Sequence, residues 1–196
     1  MQIVFQLYTI MKITVIISSV RENRLADGVL KKFKELVGDR FDYSLVDLLE
    51  YKLPLLNKRY YEMKEPTAHF KKLHDLFIDS DGFIIITAEY NHGIPPALKN
   101  MLDHFGSEFN FKSCGIISYS DGPIGGARST EQLRLVCSTL GMPPIPISPA
   151  WGLANKSEAP EGQSFLKNFE KTVSRFIEQF EWYTQAYIAQ RKIKGT

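Results

Sequence analysis

The chain has 196 residues, which is enough for one well-buried core and short for two domains. Hydrophobic residues make up 44% of it and charged residues 23%, the composition of an ordinary globular domain. A formal net charge of +2, with Lys and Arg spread along the chain, is too small to indicate nucleic acid as a partner. No segment approaches the roughly 18–20 apolar residues of a membrane span, so no membrane partner is expected.

The two cysteines, Cys114 and Cys137, lie in an apolar run and in a helical pattern. Both are predicted to be buried small hydrophobic residues, and they do not indicate a disulfide scaffold. This cysteine usage favours a reducing, cytoplasmic location.

The first ten residues, MQIVFQLYTI, are apolar but lack the basic start and the cleavage site of a signal peptide. We interpret residues 1–10 as an N-terminal extension: an alternative start, an appended segment, or a strand that pairs with a sheet edge or a partner chain. Residues 11–190 are predicted to form a single domain, and residues 191–196 a tail.

Strand and helix patterns then alternate along the chain. Residues 12–18, KITVIIS, form a β-branched run typical of a parallel strand covered on both faces. A helical stripe of apolar residues follows and ends near Gly38. Residues 41–48 alternate apolar and polar, as in a strand nearer an edge. The long loop at 49–65, rich in tyrosine, is predicted to be functional or to form an interface.

The second half continues the alternation and ends in a long apolar stripe at helical spacing. Proline is tolerated in the first turn of a helix and in an edge strand, and the prolines of this half are assigned to such positions. The predicted elements are a helix over 66–80, a strand over 82–87, a helix over 95–105, a strand over 112–120, a glycine-rich turn at 121–126 leading into a helix to Leu140, an edge strand at 143–147 (PPIPI), and a helix carrying Phe165 to Phe180.

Five strands alternating with helices predict a parallel sheet with helices on both faces. Of the doubly wound arrangements, the five-stranded flavodoxin-like order 2-1-3-4-5 fits this count, in a three-layer α/β/α fold. Its switch point lies between the first and third strands. Loops from the carboxyl ends of strands one, three and four therefore converge at one edge.

The first of these loops, SSVRENRLA at 18–26, combines hydroxyls, guanidinium groups and the start of a helix. A dianionic phosphate binds well to this combination of donors. A serine-capped helix with surface arginines explains the loop equally well, because the loop contains neither a P-loop nor a G-x-G-x-x-G pattern.

The second loop opens the stretch AEYNHGIPPALKNMLD at 88–103. Its backbone groups follow a buried strand with no strand left to pair, and a flat heteroaromatic ring suits them, with Tyr90 as a shield from water. The start of a helix explains 95–105 but not Glu89 and Tyr90. The third loop, SDGPIGGARS at 120–129, has glycines that permit close backbone approach, although a plain turn explains them equally well.

Together these three stretches resemble the NADPH-dependent FMN reductase family, which has the flavodoxin-like fold and includes azo-, quinone- and chromate-reducing members. The resemblance covers about residues 11–150 and rests most on the signature P-E-Y-N…P…L-K-N-x-x-D. Eight positions of this chain match that signature: Glu89, Tyr90, Asn91, Pro96, Leu98, Lys99, Asn100 and Asp103.

The resemblance implies nine cofactor-binding residues, three from each loop. They are Ser19, Arg21 and Arg24 at the FMN phosphate; Glu89, Tyr90 and Asn91 at the isoalloxazine edge, mostly through backbone; and Gly122, Gly125 and Gly126 near the ring. Two positions depart from the family pattern. Ser18 stands where the family usually has Gly, and Ala88 stands where Pro is usual.

The function implied by the resemblance is an FMN-dependent NAD(P)H oxidoreductase. Electrons would pass from NADPH or NADH through FMN to a small acceptor (flavin, quinone, azo compound or metal oxyanion) in a ping-pong cycle. No side chain is required as a nucleophile. A metal site is not expected, because His69 and His74 lack metal-ligand spacing.

Two alternatives stay open: a flavodoxin-type electron carrier and a non-catalytic regulatory module. Electron carriers of this type are usually acidic and use a Thr/Gly-rich phosphate loop, unlike this chain. The aromatic residues of the long loop and of the C-terminal helix suggest a subunit interface. In the family two chains commonly face each other across the flavin, so a homodimer, possibly a tetramer, is expected.

Overall fold

The computed structural model describes residues 10–195, so the N-terminal extension lies, apart from Ile10, outside the described residues. Its centre is one five-stranded parallel sheet in the order β2-β1-β3-β4-β5. The strands are β1 (Lys12–Ile17), β2 (Asp42–Asp47), β3 (Gly82–Ala88), β4 (Ser113–Tyr119) and β5 (Ala150–Trp151). The predicted flavodoxin-like order is confirmed.

Six helices accompany these strands in the described part of the chain. They are α1 (Ala26–Val37), α2 (Leu48–Tyr51), α3 (Ala68–Asp79), α4 (Pro96–His104), α5 (Ala127–Thr139) and α6 (Pro160–Lys194). Short 3₁₀ turns lie at Tyr60–Glu62, Ser107–Phe109 and Ala154–Lys156. The ends of α1 follow the usual preferences for helix termini. The first turn contains an acidic residue and the last turn a lysine, which complement the helix dipole, and the helix ends at Gly38, which has a φ of 53°.

The apolar runs of the central strands are explained by helices on both sides. β3 and β4 are buried at every residue. Alternate side chains of β1 and β3, such as Val15 and Ile84, pack with α1 and α6 on one face. The intervening ones, such as Ile16 and Phe83, pack with α3, α4 and α5 on the other. The buried apolar residues of β1, β3 and β4 are therefore divided between two core clusters, one on each face of the sheet.

The carboxyl edge of the sheet has a step where β1 meets β3. β1 ends at Ile17, opposite Ile86. β3 continues for two more residues, Thr87 and Ala88, which pair only with β4. The loop after β1 therefore leaves the sheet beside the last two residues of β3, and this is the switch point at which doubly wound sheets bind ligands.

The predicted fifth strand at 143–147 is wrong. That segment makes one isolated bridge, Cys114 to Pro144, with Ile145 donating its N–H to the carbonyl of Cys114 at 2.8 Å. Proline has no N–H to donate, so this proline-rich segment cannot continue a ladder. The true β5 is two residues long and pairs with Ser118 and Tyr119 at the carboxyl edge.

Three smaller differences concern helix limits. The predicted loop at 49–65 begins inside α2, which starts at Leu48 because the Asp47 side chain caps it by accepting from the Leu49 N–H. α3 begins at Ala68, two residues later than predicted. α6 continues through Lys194, so the residues predicted as a tail from 191 onward are still helical up to that point.

Candidate functional site

A cleft of about 230 Å³ lies at the carboxyl edge of the sheet, where the loops after β1, β3 and β4 meet. Five of the nine predicted cofactor residues line it: Ser19, Arg21, Arg24, Glu89 and Tyr90. Asn91, Gly122, Gly125 and Gly126 belong to the same loops but do not line this cleft. Topology alone therefore places most of the predicted residues together.

The first loop and the second loop are joined across this cleft. The hydroxyls of Ser19 and Tyr90 form a hydrogen bond of 2.6 Å. The guanidinium of Arg21 lies over the Tyr90 ring, 5.7 Å from its centroid. α1 begins just beyond, after Leu25, whose apolar side chain cannot cap the first amides. The loop therefore presents an exposed cation, a hydroxyl and a helix start, which together suit an anion.

Arg24 is engaged differently from Arg21, because all five of its N–H donors have partners. Nη1 donates to the Ser19 carbonyl at 2.6 Å and to Asp47 at 2.7 Å. Nη2 donates to Asp47 and to Asp27, and Nε donates to Asp27 at 3.1 Å. A guanidinium has no sixth donor. Arg24 therefore clamps the first loop to β2 and α1, and in this arrangement it has no donor left for a phosphate.

Asp47 is the second half of this clamp. The side chains of Arg24 and Asp47 are only 7% and 12% exposed. Burial raises the pKa of Asp47, but hydrogen bonds from Arg24 and from the Leu49 N–H, with the charge of Arg24, more than offset this and lower the pKa overall. The same carboxylate caps α2 through Leu49. One side chain thus organises both the first loop and the start of the segment that follows β2.

The two departures from the family pattern contact each other. The buried N–H of Ala88 donates to the Ser18 hydroxyl at 3.2 Å. A proline at 88 would have no N–H to donate, and a glycine at 18 would have no hydroxyl to accept it. The two residues are therefore complementary, and they tie the end of β1 to the end of β3 at the step in the sheet.

Glu89 holds the second loop against α5. Its carboxylate accepts from the backbone N–H groups of Arg128 and Ser129, at 3.1 and 3.4 Å, and pairs with the Arg128 guanidinium at 3.1 Å. A carboxylate at a helix start is favourable because the exposed amides and the helix dipole are positive there. The Glu89 side chain is 10% exposed, so its main contacts are structural.

Asn91 lies at the tip of a tight turn. Tyr90 and Gly93 exchange two backbone hydrogen bonds of 2.9 and 3.0 Å. The two residues between them, Asn91 and His92, have φ values of 48° and 66°. Two successive residues with positive φ define a type I′ turn, which Asn favours. The turn fixes the direction in which Tyr90 leaves the sheet.

In the third loop, two of the three predicted glycines are required by the protein's own packing. Gly125 and Gly126 have φ values of 68° and 82°. A Cβ on Gly125 would lie 2.8 Å from the Gly152 nitrogen, and one on Gly126 would lie 3.1 Å from the Tyr119 carbonyl. These glycines therefore seat the loop on β4 and β5. A Cβ on Gly122 would approach only Ser120, at 3.9 Å, so Gly122 leaves its surroundings open.

Two residues that line the cleft lie outside the three loop stretches singled out from the sequence. Tyr119 ends β4, and Asn155 lies in the 3₁₀ turn after β5. Asn155 was missed because β5 was placed too early, so its following loop was not recognised as a fourth contributor. Tyr119 was missed because a tyrosine at the end of an apolar strand is indistinguishable from a core residue. The placement of Ala150–Trp151 as a strand would have pointed to Asn155.

The second half of the sequence signature secures the long loop over α4. The Asn100 side chain accepts from the Leu56 N–H at 2.9 Å and donates to the Pro54 carbonyl at 2.8 Å. Both ring nitrogens of the fully buried His104 lie 3.0 Å from loop carbonyls, those of Lys58 and Pro54. This face of α4 therefore fixes the tyrosine-rich loop beside the cleft.

Over residues 10–195, every helix is too short or too polar to cross a lipid bilayer. The same part of the chain brings together no group of three His, Cys, Asp or Glu side chains that could hold a metal ion. Cys114 and Cys137 are buried free thiols whose sulfurs lie 3.8 Å apart.

The sheet order and the position of the cleft define a flavodoxin-like α/β protein with a cleft at its switch point. The family follows from the sequence: the pattern of the NADPH-dependent FMN reductases matches residues 11–156, and the chain belongs to this family. The predicted family is thus confirmed, together with its enzyme class, an oxidoreductase that depends on FMN and NAD(P)H.

Relatives support this assignment. An NAD(P)H-dependent FMN reductase of Schizosaccharomyces pombe is 33% identical over 188 residues, covering 87% of this chain and 90% of the relative. A 2-hydroxy-1,4-benzoquinone reductase of a Burkholderia species is 32% identical over 136 residues, covering 66% of this chain and 72% of the relative. The fold also matches FerB, an NAD(P)H:(acceptor) oxidoreductase of Paracoccus denitrificans, with a TM-score of 0.72, 22% identity, and coverage of 89% of this chain and 99% of that one.

Proposed function

We propose that the cleft binds FMN and that the enzyme passes electrons from NADPH or NADH to a small acceptor. The observation that carries this proposal is the position of Arg21 and the start of α1 at the step between β1 and β3, directly opposite the Tyr90 turn. This arrangement supports a phosphate site and a surface for a flat ring in the same cleft.

The residues present fit this cofactor. The first-turn amides of α1, which no side chain caps, and the Arg21 guanidinium are donors suited to a dianionic phosphate. Arg21 has no ion-pair partner among residues 10–195, so its charge is available. The hydroxyls of Ser19, Tyr90 and Tyr119 along the cleft suit a polyhydroxylated chain. The bound flavin would supply the redox chemistry, with NAD(P)H oxidised in one half of a ping-pong cycle and the acceptor reduced in the other.

Each predicted residue has a definite part in this proposal. Arg21 contacts the phosphate, whereas Arg24 holds the loop that carries Arg21, because its donors are taken by carboxylates and a carbonyl. Glu89 fixes the second loop to α5, and Asn91 forms the turn that presents Tyr90 and the neighbouring backbone. In the third loop, Gly125 and Gly126 set the backbone path, while the open surroundings of Gly122 leave room for a ligand.

The acceptor is proposed to be a small molecule, and a quinone is supported by the Burkholderia relative, which is itself a benzoquinone reductase. A flavin, an azo compound or a metal oxyanion remains an alternative acceptor of the same class. Steady-state rates with NADPH and a panel of these acceptors would rank them. A panel that shows no acceptor faster than dioxygen would contradict the proposal.

We also propose a homodimer in the cytoplasm. Beside the cleft, Leu55 and Tyr61 of the tyrosine-rich loop are 85% and 73% exposed. A second copy of the chain would cover such apolar side chains. Light scattering on the eluted protein should give twice the chain mass, and a monomer mass would overturn this part of the proposal. The two buried free thiols support the reducing compartment.

The proposed cofactor is tested by incubating the protein with FMN, desalting it, and recording its visible absorbance before and after anaerobic NADPH. Retained flavin bands that bleach with NADPH are expected. Flavin that is retained but not bleached would indicate an electron carrier instead. Loss of all flavin on desalting, with no binding detected by fluorescence titration, would overturn the site assignment.

A further inference from the structure

We propose that Tyr119 is a cofactor-binding residue whose hydroxyl donates a hydrogen bond to an acceptor oxygen on the ribityl phosphate arm of FMN. This inference rests on the proposed binding of FMN in the cleft. It adds a contact from the end of β4, a residue that the sequence pattern of the three loops does not point to.

The first support is that the Tyr119 hydroxyl is buried without a partner. The residue is 3% exposed, and no atom of residues 10–195 makes a hydrogen bond with its hydroxyl. Ser118 and Trp151 also carry buried polar atoms that lack partners, but neither residue lines the cleft. A buried hydroxyl with no partner is unfavourable. Tyr119 is therefore the one such residue of these three that a ligand in the cleft could satisfy.

The second support is the position of the hydroxyl. Burial raises the pKa of Tyr119 most strongly, and the charge of Tyr90 raises it further. The Ser19 hydroxyl lies near enough to lower it through a hydrogen-bonding approach, although the two hydroxyls do not meet the geometry of a hydrogen bond. Tyr119 and both of these neighbours line the cleft, so the hydroxyl lies among residues of the cleft wall. Since its pKa is raised, the phenol stays protonated and can act as a donor.

The third support is that the neighbouring hydroxyls bond to each other and not to Tyr119. Ser19 and Tyr90 bond to each other at 2.6 Å. Tyr119 is next to this pair but outside it. A phosphate oxygen and a ribityl hydroxyl are both acceptors, and either would satisfy the tyrosine. Riboflavin has the ribityl chain without the phosphate, so comparing it with FMN separates these two sources.

The test is Tyr119→Phe, which removes the hydroxyl and keeps the ring. The dissociation constants of FMN and riboflavin would be measured by quenching of flavin fluorescence, and the Tm of the protein would be measured without flavin. We expect FMN binding to weaken about three- to tenfold, the usual range for one hydrogen bond. Without flavin, we expect a Tm that is unchanged or higher by up to about 3 °C, because an unsatisfied group has been removed.

The matched control is Tyr43→Phe, since Tyr43 packs against the same core cluster but does not line the cleft. Its FMN affinity should equal that of the wild type. Weakening of both ligands by Tyr119→Phe would assign the contact to the ribityl chain, and weakening of FMN alone would assign it to the phosphate. Wild-type affinity for both ligands, or a Tm several degrees lower without flavin, would overturn the inference. If the wild-type protein itself bound no FMN, the proposed function would fail instead.

Discussion

Replacing Asp47 with Asn tests whether Arg24 positions the first loop or binds the phosphate itself. Asp47 accepts two hydrogen bonds from Arg24 and one from the Leu49 N–H. Asparagine keeps the shape and one acceptor oxygen, but it places an NH₂ group where the guanidinium needs an acceptor. The substitution therefore removes at least one charge-assisted hydrogen bond and leaves Arg24 with Asp27, which is 67% exposed, as its only carboxylate partner.

The expected loss of stability follows from these contacts. Removing one partner of a fully buried ion pair costs about 3–5 kcal/mol. Asp27 still offsets part of the charge, and one acceptor remains, so we expect about 2 kcal/mol, near the value of one charge-assisted hydrogen bond. For a chain of this size that corresponds to a Tm lower by about 4–8 °C. Urea unfolding and a thermal scan measure both quantities.

The same substitution has opposite effects on FMN binding under the two roles. If Arg24 is a clamp, the substitution makes the first loop less ordered. Binding FMN then has to order the loop, which costs free energy, and we expect FMN affinity to fall about tenfold. If Arg24 binds phosphate, losing Asp47 frees a cation for the ligand and affinity rises. Tighter FMN binding by Asp47→Asn would therefore refute the clamp. Asp27→Asn is the matched control, with a cost below about 1 kcal/mol because that pair is exposed.

The clamp also has a defined pH dependence. The pKa of Asp47 is lower in the folded protein than in the unfolded chain. Its contribution to stability is therefore complete above about pH 4, the ordinary range of an aspartate, and is lost as pH falls through the lowered folded value. The difference in unfolding free energy between the wild type and Asp47→Asn should be constant near neutral pH and should disappear at acid pH. A difference independent of pH would contradict the ion pair.

Three further predictions concern other parts of the molecule. Ser18→Ala should cost about 1–3 kcal/mol, because the buried N–H of Ala88 loses its acceptor; adding Ala88→Pro should recover much of that loss, and strictly additive costs in urea unfolding would contradict the pairing. His92→Gly should raise the free energy of unfolding by about 1 kcal/mol, because His92 has a positive φ of 66° and glycine adopts this conformation without strain; a lower Tm would argue against the type I′ turn. Burial lowers the pKa of Lys112 to about 8, so between about pH 8 and 10.5 the unfolded chain holds a proton on this lysine that the folded protein has released. The stability of the wild type relative to Lys112→Met should therefore rise with pH over that interval. A stability difference that does not change with pH would show that Lys112 titrates normally.

Sequence reasoning succeeded where local pattern and global topology agree. β1, β3 and β4 are largely apolar because each is covered on both faces, and that property is visible in the chain itself. β5 could not be found in this way. Only two of its residues pair, and it has no apolar run of its own. Its position depends on the third loop, where Gly125 sits against the backbone of residues 150–152.

The candidate site divides in a similar way. The convergence of the three loops follows from strand order, and the structure brings Ser19, Arg21 and Tyr90 together as expected. The partner of each side chain does not follow from its type. The family resemblance assigns Arg24 to the phosphate, whereas its carboxylate partner in the structure comes from the end of another strand, 23 residues away. Likewise, nothing in the sequence shows that the Tyr119 hydroxyl is buried without a partner.

The division of the core into two clusters has a consequence for the order in which the nascent chain can fold. The cluster that packs against α3, α4 and α5 draws its buried residues from Ile16 to Met142. The cluster on the other face needs Phe169 to Phe180 of α6, which pack with residues as early as Met11. The first cluster can therefore be completed while α6 is still being synthesised, and the second cannot. We expect nascent chains ending before α6 to protect the first cluster from proteolysis while leaving the other face of the sheet open, so that the chaperone-sensitive stage of synthesis is the last one.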